Sequence, residues 1–141
     1  MRILATVFIL LAACGPAVQA GTTAAAPAQA SASLAGSYAL RQVNGRDLPT
    51  ASPTEPNVEL TRGFLRLDPA GTFAVTLTGR RNQEPTPGDE QMRGTYAVAG
   101  DVLTMSGPNG PEGAVRFNFT RAGSTLMLRD DRGHVYTFVR Q

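Results

Sequence analysis

Between Leu65 and Leu77, apolar and non-apolar residues alternate on both sides of Asp68-Pro69-Ala70-Gly71. Period-two alternation puts every apolar group on one face of an extended chain, whereas a helix would scatter the same residues around its axis. Asp at the first turn position, Pro at the second and Gly at the fourth suit a type I turn. Pro presets a negative φ, and Gly71 takes the left-handed conformation that reverses the chain. The stretch therefore predicts a β-hairpin with one buried face.

The same grammar recurs along the chain. Ser37 to Val43 reads as a strand stopped by the turn dipeptide Asn44-Gly45. Strands over Arg93–Val98 and Val102–Met105 join through Ala99-Gly100-Asp101, where Gly100-Asp101 suits a two-residue type II′ turn. Ala114–Thr120 turns at Arg121-Ala122-Gly123 into Thr125–Arg129. Asp130-Asp131-Arg132-Gly133 then repeats the Asp-x-x-Gly turn before a last strand, His134–Arg140. About eight short strands with hairpin links predict an all-β, antiparallel, up-and-down meander. A meander left open exposes two edges, so closure into a barrel is expected.

Two connections stand outside this rhythm. Arg46 to Arg62 carries Pro49, Pro53 and Pro56, which deny backbone donors to a central strand. It reads as a loop or sheet edge, with Val58-Glu59-Leu60 as a short edge piece. Arg80 to Gln91 reads as a polar loop, basic at its start and acidic later.

Of the 141 residues, those from Leu34 to Gln141 form one domain-sized unit, enough for one core. The formal charge of +2 becomes +1 if Arg2 is removed with a leader, leaving 12 basic residues against 11 acidic. So even a balance, with no exposed aromatics interleaved among the arginines, predicts no nucleic-acid partner. Cys14 is the only cysteine and His134 the only histidine. An internal disulfide and a structural zinc site are therefore excluded. No metal or cofactor is expected.

Met1-Arg2 followed by the apolar run Ile3–Ala13 reads as an export signal, too short to span a bilayer as a helix. Leu11-Ala12-Ala13-Cys14 resembles a bacterial lipobox, which would make 1–13 the signal and acylate Cys14. Val18-Gln19-Ala20 before Gly21 also suits ordinary signal peptidase cleavage, making the signal 1–20. Both readings export the protein. The first makes it a lipid-anchored outer-membrane protein facing the periplasm, the outer membrane following from Gly15 by resemblance to enteric lipoproteins. The second makes it soluble periplasmic or secreted. Residues 14–33, almost entirely Ala, Thr, Ser, Pro, Gly and Gln, read as a disordered tether.

Beyond Leu34 the chain resembles a small bacterial lipocalin-like domain. Gly36-Ser37-Tyr38 opens the first strand where lipocalins carry Gly-x-Trp, and Arg140 closes the last strand where lipocalins place a basic residue across that aromatic. The proline-bearing connection after the first strand matches the position of the loop over a lipocalin's mouth. The resemblance implies a closed eight-stranded barrel in which Tyr38 and Arg140 meet, the guanidinium over the ring.

The alternation predicts an inward set containing Tyr38, Leu40, Leu65, Leu67, Phe73, Val75, Leu77, Tyr96, Val98, Leu103, Met105, Val115, Phe117, Phe119, Leu126, Leu128, Tyr136 and Phe138. Eight strands enclose either a side-chain-filled core or one small ligand. Arg66, Arg93, Arg116 and Arg129 fall off this parity and are expected outside. His134 beside a turn, and the acid pairs Asp89-Glu90 and Asp130-Asp131 in loops, lack the partners that catalysis or calcium binding needs. The expected function is a non-enzymatic envelope module that binds a small apolar ligand inside the barrel. The alternative is a protein-interaction module, an inhibitor or assembly factor, that uses loops 46–62 and 80–91 on a filled barrel.

Overall fold

A computed structural model describes residues 31–81 and 87–141. The expected signal, Cys14, the expected tether as far as residue 30 and loop residues 82–86 lie outside the described residues. Ten strands follow one another: β1 (Gly36–Val43), β2 (Arg46–Asp47), β3 (Thr50–Ala51), β4 (Val58–Leu67), β5 (Thr72–Arg81), β6 (Gly88–Ala99), β7 (Val102–Ser106), β8 (Val115–Ala122), β9 (Thr125–Arg129) and β10 (Val135–Arg140). Strands β4 to β10 pair each with the next, all antiparallel, and β1 pairs with both β10 and β4. The result is a closed, eight-stranded, up-and-down barrel, with β2 and β3 as short additions in the first connection.

The turns follow their local chemistry. Gly71 N–H donates to Asp68 O at 2.9 Å, Gly71 sits at φ 86°, and the Asp68 carboxylate accepts from Ala70 N–H at 3.0 Å. Asp130 and Gly133 repeat the arrangement, with a 3.1 Å bond and φ 87°. Asn44 at φ 52° and Gly45 at φ 75° form the two-residue turn between β1 and β2. At Gly100 φ is 60° while Asp101 keeps a negative value, as a type II′ turn requires. The β8–β9 turn falls one residue later than expected: Ala122 pairs with Thr125, so Gly123 and Ser124 form the turn.

The barrel has two unlike ends. The lower end carries the start of β1, the 68–71 turn and the hairpin tips at Gly100 and Gly123. Residues 31–34 form a helical turn that plugs it. Leu34 is only 1% exposed within the core, and Tyr38 Oη donates to its carbonyl at 2.7 Å. Tyr96 Oη lies 2.8 Å from Asp68 O and 3.0 Å from Ser31 O, so one hydroxyl proton serves two carbonyls. Arg121 donates to Ser33 O. Ser31, expected as tether, is thus buried and Ser33 holds Arg121, so contacts with the barrel begin before Leu34. Nothing in the small, polar run Ser31-Ala32-Ser33 signals this, because the packing is made by carbonyls that every residue has.

The two long connections are more ordered than expected. The 46–62 stretch is a loop only in part: β2, β3 and the first half of β4 lie within it, and β4 begins at Val58. All three prolines fall outside strands, which leaves Thr50-Ala51 free to pair with Leu60 and Glu59. The 80–91 stretch likewise shrinks, because β5 runs to Arg81 and β6 starts at Gly88. Thr78 and Asp89 pair across this hairpin, Thr78 Oγ1 donating to Asp89 Oδ1 at 2.7 Å. Polar side chains hid these strand halves from a pattern read on apolar alternation. A bulge at Thr61 shifts the parity of β4, so Leu60 and Leu65 both face inward.

Candidate functional site

Tyr38, Leu40, Leu67, Phe73, Tyr96, Met105 and Phe138 are buried together in one cluster with Leu65, Val98, Leu103, Leu126 and Leu128. Val75, Leu77, Phe117, Phe119 and Tyr136 are partly buried and pack against it. Phe117 and Tyr136 meet edge to face, centroids 6.4 Å apart. Inward side chains of opposite walls thus meet in one buried cluster. Val115 departs from the expected set: it follows the inward parity but sits at the upper rim, where it is exposed. Arg66, Arg93, Arg116 and Arg129 are exposed, as their parity requires.

Tyr38 and Arg140 are cross-strand neighbours. The guanidinium is seated over Gly36, within about 3 Å of where a Gly36 side chain would begin, and donates to Ala35 O at 2.9 Å. A missing Cβ leaves that seat open. Tyr38 and Arg140 thus join the ends of the chain as adjacent residues, the hydroxyl engaging Leu34 and the guanidinium Ala35.

The upper end carries two grooves. Residues 52–57 cross it, and Thr54 lines a groove on each side. The first, about 340 Å³, lies between this crossing and the upper parts of β4, β5 and β6. Its floor is apolar, from Val58, Leu60 and Leu77. Its rim is charged, with Glu55 and Arg81 paired at 3.4 Å and Glu90 nearby. The second, about 430 Å³, is walled by Val115, Arg116 and Asp130–Arg132. Both open to solvent.

At the second groove Asp130 organises the turn before β10. Its Oδ1 accepts from His134 N at 2.8 Å and Arg132 N at 3.0 Å, and its Oδ2 lies 2.9 Å from His134 Nδ1. Burial by itself would raise this carboxyl, but the bonds from the His134 side chain and backbone and from Arg132 outweigh it and hold it below the ordinary range. Burial pushes the neighbouring Tyr136 phenol up, and Asp130 adds to that shift. Burial likewise raises Tyr96, with Asp68 and Tyr38 contributing. An imidazole held by a carboxylate is a component of hydrolytic triads; here the same carboxylate caps two backbone N–H groups, which is the work of a turn. Among the described residues no group of three or more His, Cys, Asp or Glu is placed to hold a metal ion, and no helix is long and apolar enough to cross a membrane.

No family model, curated protein or solved structure matches the chain.

Proposed function

We propose that this protein is a non-enzymatic module of the cell envelope that binds another protein through the upper end of a filled barrel. The observation that carries the reading is the interior: the inward side chains form one buried cluster and residues 31–34 plug the lower end. A filled barrel offers its rims rather than its axis. The first groove then supplies an apolar floor framed by Glu55, Arg81 and Glu90, the layout of a small interface with a polar rim. The lipocalin resemblance enters for the barrel and for the long connection over the mouth. Anchoring through an acylated Cys14 to the outer membrane, facing the periplasm, completes the proposal.

The test is photo-crosslinking in cells, with the reactive group placed at Thr54 or, as control, at Thr120 on the outer wall. A discrete protein adduct from Thr54 alone is expected. Equal labelling from both positions, or none from either, would sink the reading. A small apolar ligand is the second reading, favoured by Val58, Leu60 and Leu77 on the groove floor and by a volume in the range of small-ligand pockets. Native mass spectrometry of the purified protein decides for it if a lipid-sized adduct appears and is lost in Leu77→Glu.

A further inference from the structure

Strand β6 is twelve residues long and β7 only five. β7 covers one edge of β6 from Thr95 to Ala99, while β5 covers the other edge as far as Gly88. The β6 segment from Gly88 to Gly94 therefore has a strand on one side only. Tyr96 N–H donates to Gly71 O, towards β5. N–H groups alternate between the two edges of a strand, and the β5–β6 register shows no bulge. The N–H and C=O groups of Asp89, Gln91 and Arg93 thus point to the uncovered edge. No backbone bond from the chain reaches them there among the described residues. Pro108, which has no N–H to donate, walls a groove of about 590 Å³ beside this edge, and Met92 is 49% exposed in it.

Charge indicates what covers the edge. When an antiparallel strand pairs with its own copy about Gln91, Asp89 lies opposite the other copy's Arg93, and this happens twice by symmetry. Both side chains project from the outer face, and all three facing pairs are the hydrogen-bonded kind. Thr78 steadies the Asp89 carboxylate, and Arg93 makes no ion pair among the described residues. The neighbouring registers fail for physical reasons. Centring on Glu90 sets that carboxylate against itself, and centring on Met92 requires Thr95, whose edge β7 already occupies. We propose that the upper half of β6 pairs antiparallel with the same strand of a second copy, centred on Gln91, so that β4, β5 and β6 of two molecules form one continuous six-stranded sheet. The pairing uses the outer backbone edge of β6, whose Asp89 and Glu90 also line the first groove, and does not rest on the functional reading. A ladder of five residues is small, so the dimer is a concentration-dependent equilibrium.

Sedimentation velocity over a concentration series tests this on the purified protein. Wild type is expected to move from monomer to dimer as concentration rises. Arg93→Asp and Asp89→Arg each set like charges across the axis and should raise the dissociation constant by roughly tenfold or more. The double reversal restores the pairs and should restore the dimer, which a merely misfolded variant would not do. In a Cys14→Ser background, Gln91→Cys should form a disulfide between copies on oxidation while Thr95→Cys should not. A wild type that stays monomeric throughout overturns the proposal. So does a dimer that survives both single reversals unchanged.

Discussion

Gly94 shows how much one missing Cβ contributes. A Cβ built there would collide with Ser106 O, where the end of β7 closes against β6. Gly94→Ala should therefore destabilise the protein by about 3 kcal/mol, whereas Gly88→Ala, with nothing within 4 Å, should be neutral or slightly stabilising. Urea denaturation midpoints compare the two. Gly71 makes the complementary point, since at φ 86° its need is conformational. Gly71→Val should cost about 1 to 3 kcal/mol, and Ala122→Val, in a strand at negative φ, much less. Equal costs would place the left-handed residue elsewhere. Asp130 is the residue whose charge matters to the fold. Its carboxyl titrates below the ordinary range in the folded state, so its stabilisation is present at neutral pH and is lost as pH falls through the acid range. Asp130→Asn should lower the urea midpoint near about pH 7, and its deficit against the native protein should shrink steadily as pH falls through the acid range, where the native carboxyl takes up its proton.

At the scale of elements, the 31–34 turn is the part least expected from composition. Leu34 fills the lower end, and its carbonyl holds the Tyr38 hydroxyl. Leu34→Ala should cost about 3 kcal/mol, against almost nothing for the exposed Ala32→Ser. Thermal denaturation of the two variants measures the difference. Tyr38→Phe leaves the buried Leu34 carbonyl without its donor and should cost about 1 kcal/mol, so the hydroxyl is not a spectator. The upper halves of β4, β5 and β6 are the other unexpected element. Their polar strand residues are legible only once the β5–β6 register is known, because Thr78 and Asp89 satisfy each other across the hairpin.

For the whole molecule, closure depends on β1 holding β10 along one edge and β4 along the other. Removing the Arg140 guanidinium frees the Ala35 carbonyl at the seam. Arg140→Ala should destabilise by about 1 kcal/mol, and with Tyr38→Ala the losses should be less than additive, since both side chains fasten the same 34–36 segment. A double-mutant cycle without coupling would count against that shared anchorage. At the level of the cell, Cys14→Ala should shift the protein from the membrane fraction to the soluble periplasm, with the diacyl or triacyl mass lost from the intact chain. A wild-type mature chain that begins unmodified at Gly21 would decide for the ordinary signal instead.

The number of barrel strands, their antiparallel order and the position of most turns were legible in the sequence, because period-two alternation and turn residues act over a few positions. Leu65 to Leu77 already contains one complete hairpin with its buried face. The inward placement of Tyr38, Phe73, Tyr96 and Phe138 follows from the same local rule. Tertiary structure decided what has no local signal. The ladder that joins Tyr38 to Arg140 forms across about a hundred residues of chain, and the guanidinium settled on Gly36 because that position lacks a side chain. The upper grooves exist because residues 52–57 cross the mouth, and the open edge of β6 exists because β7 ends at Ser106 while β6 extends beyond it. Each depends on where one strand stops relative to its neighbour, a relation that no single stretch of sequence contains.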